Sequence, residues 1–102
     1  MSLRLPVLLS ALAALIFMPT AVRADKVSTE QLRAAVGRGD ALPLSDLKRR
    51  LSATYPGEII KVDVDMDDGR LRYEFKVLQA SGRVLEVTMD AATGRFLEVE
   101  ND

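Results

Sequence analysis

The sequence predicts an α+β domain: a helix packed on one face of a four-stranded antiparallel meander sheet, with a short helix ahead of it. Three observations predict it. Leu44, Leu47, Leu51 and Tyr55 recur at helical spacing before Pro56-Gly57. From Glu58 the apolar period changes to two. Glycines then punctuate that alternation at Asp68-Gly69, Ala80-Ser81-Gly82 and Ala92-Thr93-Gly94, as hairpin turns do.

Residues 1–24 read as an export signal. Arg4 and the amino terminus give a positive start. Leu5 to Met18 is apolar apart from Pro6 and Ser10, and Pro19 ends any helix there. Val22-Arg23-Ala24 suits a signal peptidase, so cleavage is expected before Asp25. A membrane-spanning helix needs about 20 apolar residues, and this run is shorter. Arg4 and Arg23 leave with the signal, so the remaining chain carries 12 basic and 15 acidic residues, a net charge of −3. The product is expected in the bacterial periplasm or outside the cell, without a membrane anchor.

Residues 25–43 form an N-terminal segment with one short, loosely docked helix. Ser28 is its N-cap and Gln31, three residues on, completes a capping box. Leu32, Ala35 and Val36 make a short apolar stripe, which Gly37-Arg38-Gly39-Asp40 ends.

Residues 44–102 carry the main domain. Its helix starts at Leu44 or Ser45 after Pro43, and Lys48, Arg49 and Arg50 lie off the apolar stripe as a solvated flank. Four strands follow, at about 58–66, 70–79, 83–90 and 95–100. In the first, Ile60, Val62, Val64 and Met66 point one way and Lys61, Asp63, Asp65 and Asp67 the other. A two-residue turn at Asp68-Gly69 sets Met66 opposite Leu71, Val64 opposite Tyr73 and Val62 opposite Phe75, so the apolar phase survives the turn. A three-residue loop ending at Gly82 sets Val77 opposite Leu85, Phe75 opposite Val87 and Tyr73 opposite Met89. The same device ending at Gly94 sets Met89 opposite Leu97 and Val87 opposite Val99.

The apolar face needs a cover, and the 44–55 helix has the matching stripe. The outer face carries Asp65 beside Arg72, Lys76 beside Glu86, and Asp90 near Arg72. Leu78, Val84 and Phe96 also point outward, with Leu78 opposite Val84. Either the 25–43 helix covers them, or they are simply exposed, or they meet a partner. With Val99 on the last strand they are the candidate partner-contacting residues.

Composition closes off most chemistry. The 102 residues include no Cys and no His, which removes disulfides, thiolate sites and the commonest general base. A net charge of −1 gives no footprint for nucleic acid. Asp63, Asp65, Asp67 and Glu74 match the acidic spacing of an EF-hand loop. The loop's glycine position is Asp68, however, and the apolar alternation runs straight through the segment, so two paired strands with solvated carboxylates are expected. Asp63 and Glu74 face each other in open solvent among Lys61, Arg72 and Lys76, without the cleft that splits carboxylate pKa values. No catalytic residue, metal ligand or cofactor is expected, and weak divalent-cation or small-ligand binding by the acidic hairpin is the rival to protein binding.

The ordered set of features resembles a PepSY domain over about Leu44 to Glu100. It consists of the helix ending in Tyr55-Pro56-Gly57, the strand Glu58-Ile59-Ile60-Lys61-Val62, then Tyr73-Glu74-Phe75-Lys76-Val77, the turn at Gly82, and Val87-Thr88-Met89-Asp90-Ala91-Ala92-Thr93-Gly94-Arg95. The resemblance implies a helix on an antiparallel sheet and residence outside the cytoplasmic membrane. PepSY domains occur in propeptides of thermolysin-type metalloproteases, where they are suspected of restraining the protease, and as small lone periplasmic proteins. The family offers no catalytic residues. No protease domain is expected after Asp102, so inhibition is expected to act in trans. Gly69, Gly82, Asp90, Thr93 and Gly94 are read as turn-makers, Gly94 at positive φ and Asp90 capping turn N–H groups. The expected function is a non-catalytic binding module that docks on a protease or membrane sensor, with strand addition along the 95–102 edge as one route.

Overall fold

The computed structural model describes residues 25–102, and the export signal read in residues 1–24 lies outside the described residues. The described chain runs β1 (Asp25–Lys26), α1 (Thr29–Gly37), α2 (Leu44–Thr54), β2 (Glu58–Asp67), β3 (Arg70–Leu78), β4 (Val84–Asp90) and β5 (Phe96–Asn101). The strands form one antiparallel sheet in chain order, β1-β2-β3-β4-β5. The meander is as expected, with one short strand added at its start. Two residues carry no readable period, so β1 has no signature of its own. It lies along β2 with Asp25 opposite Met66 and Lys26 opposite Asp65, and Val27 N–H donates to the Val64 carbonyl at 3.3 Å.

Both helices lie on the apolar face. Leu47 and Leu51 of α2 are fully buried with Tyr73, Phe75, Val77, Val87 and Met89, and Leu44 and Tyr55 pack beside them. The 25–43 segment is part of this core rather than a loose appendage. Ala35 and Ala41 are buried in it, Leu32 and Val36 pack against it, and Leu42 N–H donates to the Ala91 carbonyl at 2.7 Å. Small side chains permit this close docking. The capping box is present: Ser28 Oγ accepts from Gln31 N–H at 3.1 Å and Gln31 Oε1 accepts from Ser28 N–H at 2.9 Å. Because α1 packs on the core face of the sheet, it does not cover Leu78 and Val84 on the opposite face.

The β2–β3 and β3–β4 registers match the alternation at every predicted pair, from Met66 opposite Leu71 to Val77 opposite Leu85. The Asp68-Gly69 turn has both residues at positive φ, 51° and 73°, as a type I′ turn requires. Two places depart from the expected pattern. In β2 a bulge falls between Ile59 and Lys61, so Ile59 packs on the core while Ile60 is 49% exposed. Between β4 and β5 the loop holds four residues, Ala91 to Gly94, closed by Asp90 N–H to the Arg95 carbonyl at 2.9 Å and Gly94 N–H to the Asp90 carbonyl at 2.8 Å. The extra residue pairs Met89 with Phe96 instead of Leu97. A bulge at Leu97 then restores Val87 opposite Val99. Phe96 therefore turns inward, with its ring edge-on to Tyr55 at 5.3 Å. That corrects its expected outward position.

One core group lacks a partner. Tyr73 is 1% exposed, stacked on Phe75 at 5.8 Å, and its hydroxyl has no hydrogen bond among the described residues. Burial pushes its pKa up. A buried, unmatched hydroxyl costs about 1–3 kcal/mol. Tyr73→Phe is therefore expected to stabilise the fold by about 1 kcal/mol, raising Tm by about 4–8 °C for a domain of this size. A Tm lowered by the substitution would show that the hydroxyl is satisfied in solution.

Candidate functional site

The outer face of the sheet and its free edge are the surface that the helices leave open. Opposite the core, β2 presents Asp63, Asp65 and Asp67, β3 presents Arg72, Glu74, Lys76 and Leu78, and β4 presents Val84, Glu86, Thr88 and Asp90. On β5, Glu98 lies opposite Thr88 and Glu100 opposite Glu86.

Ion pairs engage one side of this face. Arg72 Nε meets Asp65 Oδ1 at 3.0 Å and its Nη1 meets Asp67 Oδ2 at 3.1 Å, while Lys61 meets Asp63 at 3.3 Å. The hairpin carboxylates with EF-hand spacing thus stand on extended, paired strands with cations among them. Among the described residues no group of three or more potential ligands is placed to hold a metal ion. Asp65 beside Arg72 is as read from the sequence, but Asp65 is buried against Arg72 rather than solvated. Lys76 stands opposite Glu86 but binds Asp102 at 3.1 Å. Asp90 stands opposite Arg72 and turns to its own loop, accepting from Thr93 Oγ1 at 2.7 Å and from Ala92 N–H at 3.4 Å.

Glu74 sits between two neighbours in register, Asp63 on β2 and Thr88 on β4. Burial first, then the charge of Asp65, pushes its pKa up, with Arg72 opposing and Glu86 and Asp63 adding to the rise. A carboxyl whose pKa is higher folded than unfolded stabilises the fold below the unfolded value. That contribution is lost as pH climbs through the folded value. Glu74→Gln should leave stability at pH about 4 unchanged and raise it at pH 7, measured as urea midpoints of both proteins across pH. Equal midpoints at both pH values would show that Glu74 has no raised pKa.

The structure brings together some of the candidate contact residues. Leu78 and Val84 are directly paired on the outer face and half-buried. Phe96 has left them for the core. Val99 lies on the helix-side face of β5, 39% exposed, near Leu97 at 44%. The turn residues hold their places: Gly69, Gly82 and Gly94 have φ of 73°, 86° and 73°. Gly94 also lies under α2. A Cβ there would come within 2.9 Å of Arg50 Nη1, whose guanidinium donates to the Thr93 carbonyl at 3.2 Å. Arg50 thereby ties the helix to the Asp-Ala-x-Thr-Gly loop, a contact hidden in sequence behind an apparently solvated basic run.

The sequence reading missed Glu98 and Glu100. They stand two apart on one face of β5, and among the described residues no cation pairs with them or with Glu86. A hydrogen bond with Glu98, and its charge, push the Glu100 carboxyl pKa up. The available signal was the Glu-x-Glu repeat on the strand that closes the sheet.

The fold and its turn signature coincide with a family match. Residues 41–100 match the family described as PepSY, peptidase propeptide and YPEB domain, and the chain belongs to that family. No curated protein and no solved structure matches the chain. No helix among the described residues is long and apolar enough to cross a membrane.

Proposed function

We propose that this chain is an exported, non-catalytic binding module of the periplasm or cell exterior, which docks on a protease or a membrane-sensor ectodomain and changes its activity. Membership of a family described as a peptidase propeptide domain supports the protein-binding class. The observation that carries the docking route is the free edge of β5. Among the described residues no strand lies beyond it, whereas β1 shields β2 from Val64 to Met66 and a bulge interrupts the rest of that edge at Ile60. An extended segment of the partner adds to β5 and continues the sheet.

The test uses the exported protein as bait in an envelope extract, followed by activity assays of the retained protease or sensor with and without it. Asp102 N–H donates inward to the Val84 carbonyl at 2.9 Å. By antiparallel alternation Glu98 and Glu100 also face β4, so Val99 N–H points out of the sheet. Val99→Pro therefore removes an edge donor and spares the ladder. Partner retention is expected to fall at least tenfold while Tm changes little. Unchanged retention by the proline variant would sink the edge route, and no retained partner even after crosslinking would sink the module reading.

A further inference from the structure

The edge that β5 offers is specific in its chemistry. Its flat part is Glu98 to Asn101, beyond the bulge at Leu97. Along it, Val99 and Asn101 turn backbone N–H and C=O groups away from β4, and side chains alternate between the two faces of the sheet. Val99, opposite the buried Val87, lies on the helix side and is partly bare. Glu98 and Glu100 lie on the outer side, two residues apart on the same strand, with Glu86 opposite Glu100. Lys76, the basic residue nearest in register, is held by Asp102. Three carboxylates therefore crowd the outer rim of a strand that turns Val99 to its inner rim.

A strand added to this edge places its own side chains beside these in register. The residue beside Val99 gains by being apolar. The residues on either side of it stand beside Glu98 and Glu100, where a third and fourth carboxylate add repulsion and a cation relieves it. We infer that the partner of β5 is an extended protein segment of alternating pattern, an apolar residue flanked on both sides by lysine or arginine. This deepens the docking reading and rests on the β5 edge being the docking route.

The test is hydrogen exchange at the Val99 and Asn101 amides of the exported protein, followed by NMR, against two short synthetic peptides. One alternates lysine with valine and the other alternates glutamate with valine. The lysine peptide is expected to protect both amides and to bind about tenfold more tightly than the glutamate peptide, the size of two exposed charge pairs together with the repulsion they replace. That advantage shrinks with added salt. In a Glu98→Lys, Glu100→Lys double variant the preference should reverse. If both peptides protect the edge equally, or the double variant keeps the original preference, the charge pattern is overturned while edge docking stands. If a peptide binds and shifts resonances elsewhere without protecting these amides, or neither protects them, edge docking falls and the pattern with it.

Discussion

Phe75→Ala is expected to cost about 3–5 kcal/mol of folding stability, more than any other single truncation in this core. Phe75 is fully buried at the middle of β3, paired with Val62 on one side and Val87 on the other, and stacked on Tyr73. It has contacts from both neighbouring strands and lies under the stripe of Leu47 and Leu51. Removing the ring leaves a hole that three elements line, and none of them can close it without giving up its own register. A domain of this size holds about 4–12 kcal/mol in all, at about 0.05–0.15 kcal/mol per residue. The variant therefore sits at the limit of folding. Phe75→Leu keeps most of the volume and should cost about 1.5 kcal/mol or less. Urea unfolding of the three proteins, with unchanged m-values, checks the ordering. A loss below about 1 kcal/mol for the alanine variant would mean that the core collapses around the site, and that the sheet and helices are less tightly locked than their burial indicates.

The parts of the fold legible in sequence are those where one local rule acts alone. Alternation through Asp68-Gly69 admits a single register, because a slip of one residue would turn Asp63, Asp65 and Glu74 onto the helix-covered face. Ser28 and Gln31 form a capping box whatever lies around them. The illegible parts are those where two local solutions share the same letters. A three-residue loop and a four-residue loop both end in a glycine at positive φ, so Thr93-Gly94 fits either. The choice of the longer loop, with its bulge at Leu97, turned Phe96 from the surface to the core. Ile59 and Ile60 are adjacent and alike, so either phase of β2 reads equally well until the bulge selects Ile59. The docking of α1 depends on Ala35 and Ala41, whose small apolar side chains are a weak signal of burial but allow close approach. The outer-edge carboxylates Glu98 and Glu100 were legible as charges. Their significance needed the sheet order, which makes β5 an edge where, among the described residues, no cation pairs with them.

The second large effect is expected at Gly57, in the corner between α2 and β2. The sequence marks Pro56-Gly57 as a helix stop, a role many residues fill. The structure gives this glycine a stricter one. A Cβ at position 57 would sit 2.5 Å from the Leu78 carbonyl oxygen and 2.7 Å from Val77 Cγ1, distances that real Cβ atoms do not reach. Leu78 closes β3 opposite Glu58, so the backbone that enters β2 is pressed against the end of its neighbour. An added methyl must displace backbone rather than the tip of a flexible chain. Gly57→Ala is therefore expected to cost about 3 kcal/mol, the upper part of the overpacking range. Gly82 supplies the control. It has φ of 86°, and a methyl group there would have nothing within 4 Å, so Gly82→Ala meets only the conformational cost of a left-handed alanine, about 1–2 kcal/mol. Gly82→Asn should recover part of that loss, because asparagine tolerates the left-handed region, whereas Gly57→Asn should be no better than alanine. Thermal and urea unfolding of the four variants separates steric exclusion from backbone preference. If Gly57→Ala costs no more than Gly82→Ala, the corner has room to open, and the approach of β2 to the end of β3 is a soft contact rather than the constraint that fixes where the sheet begins.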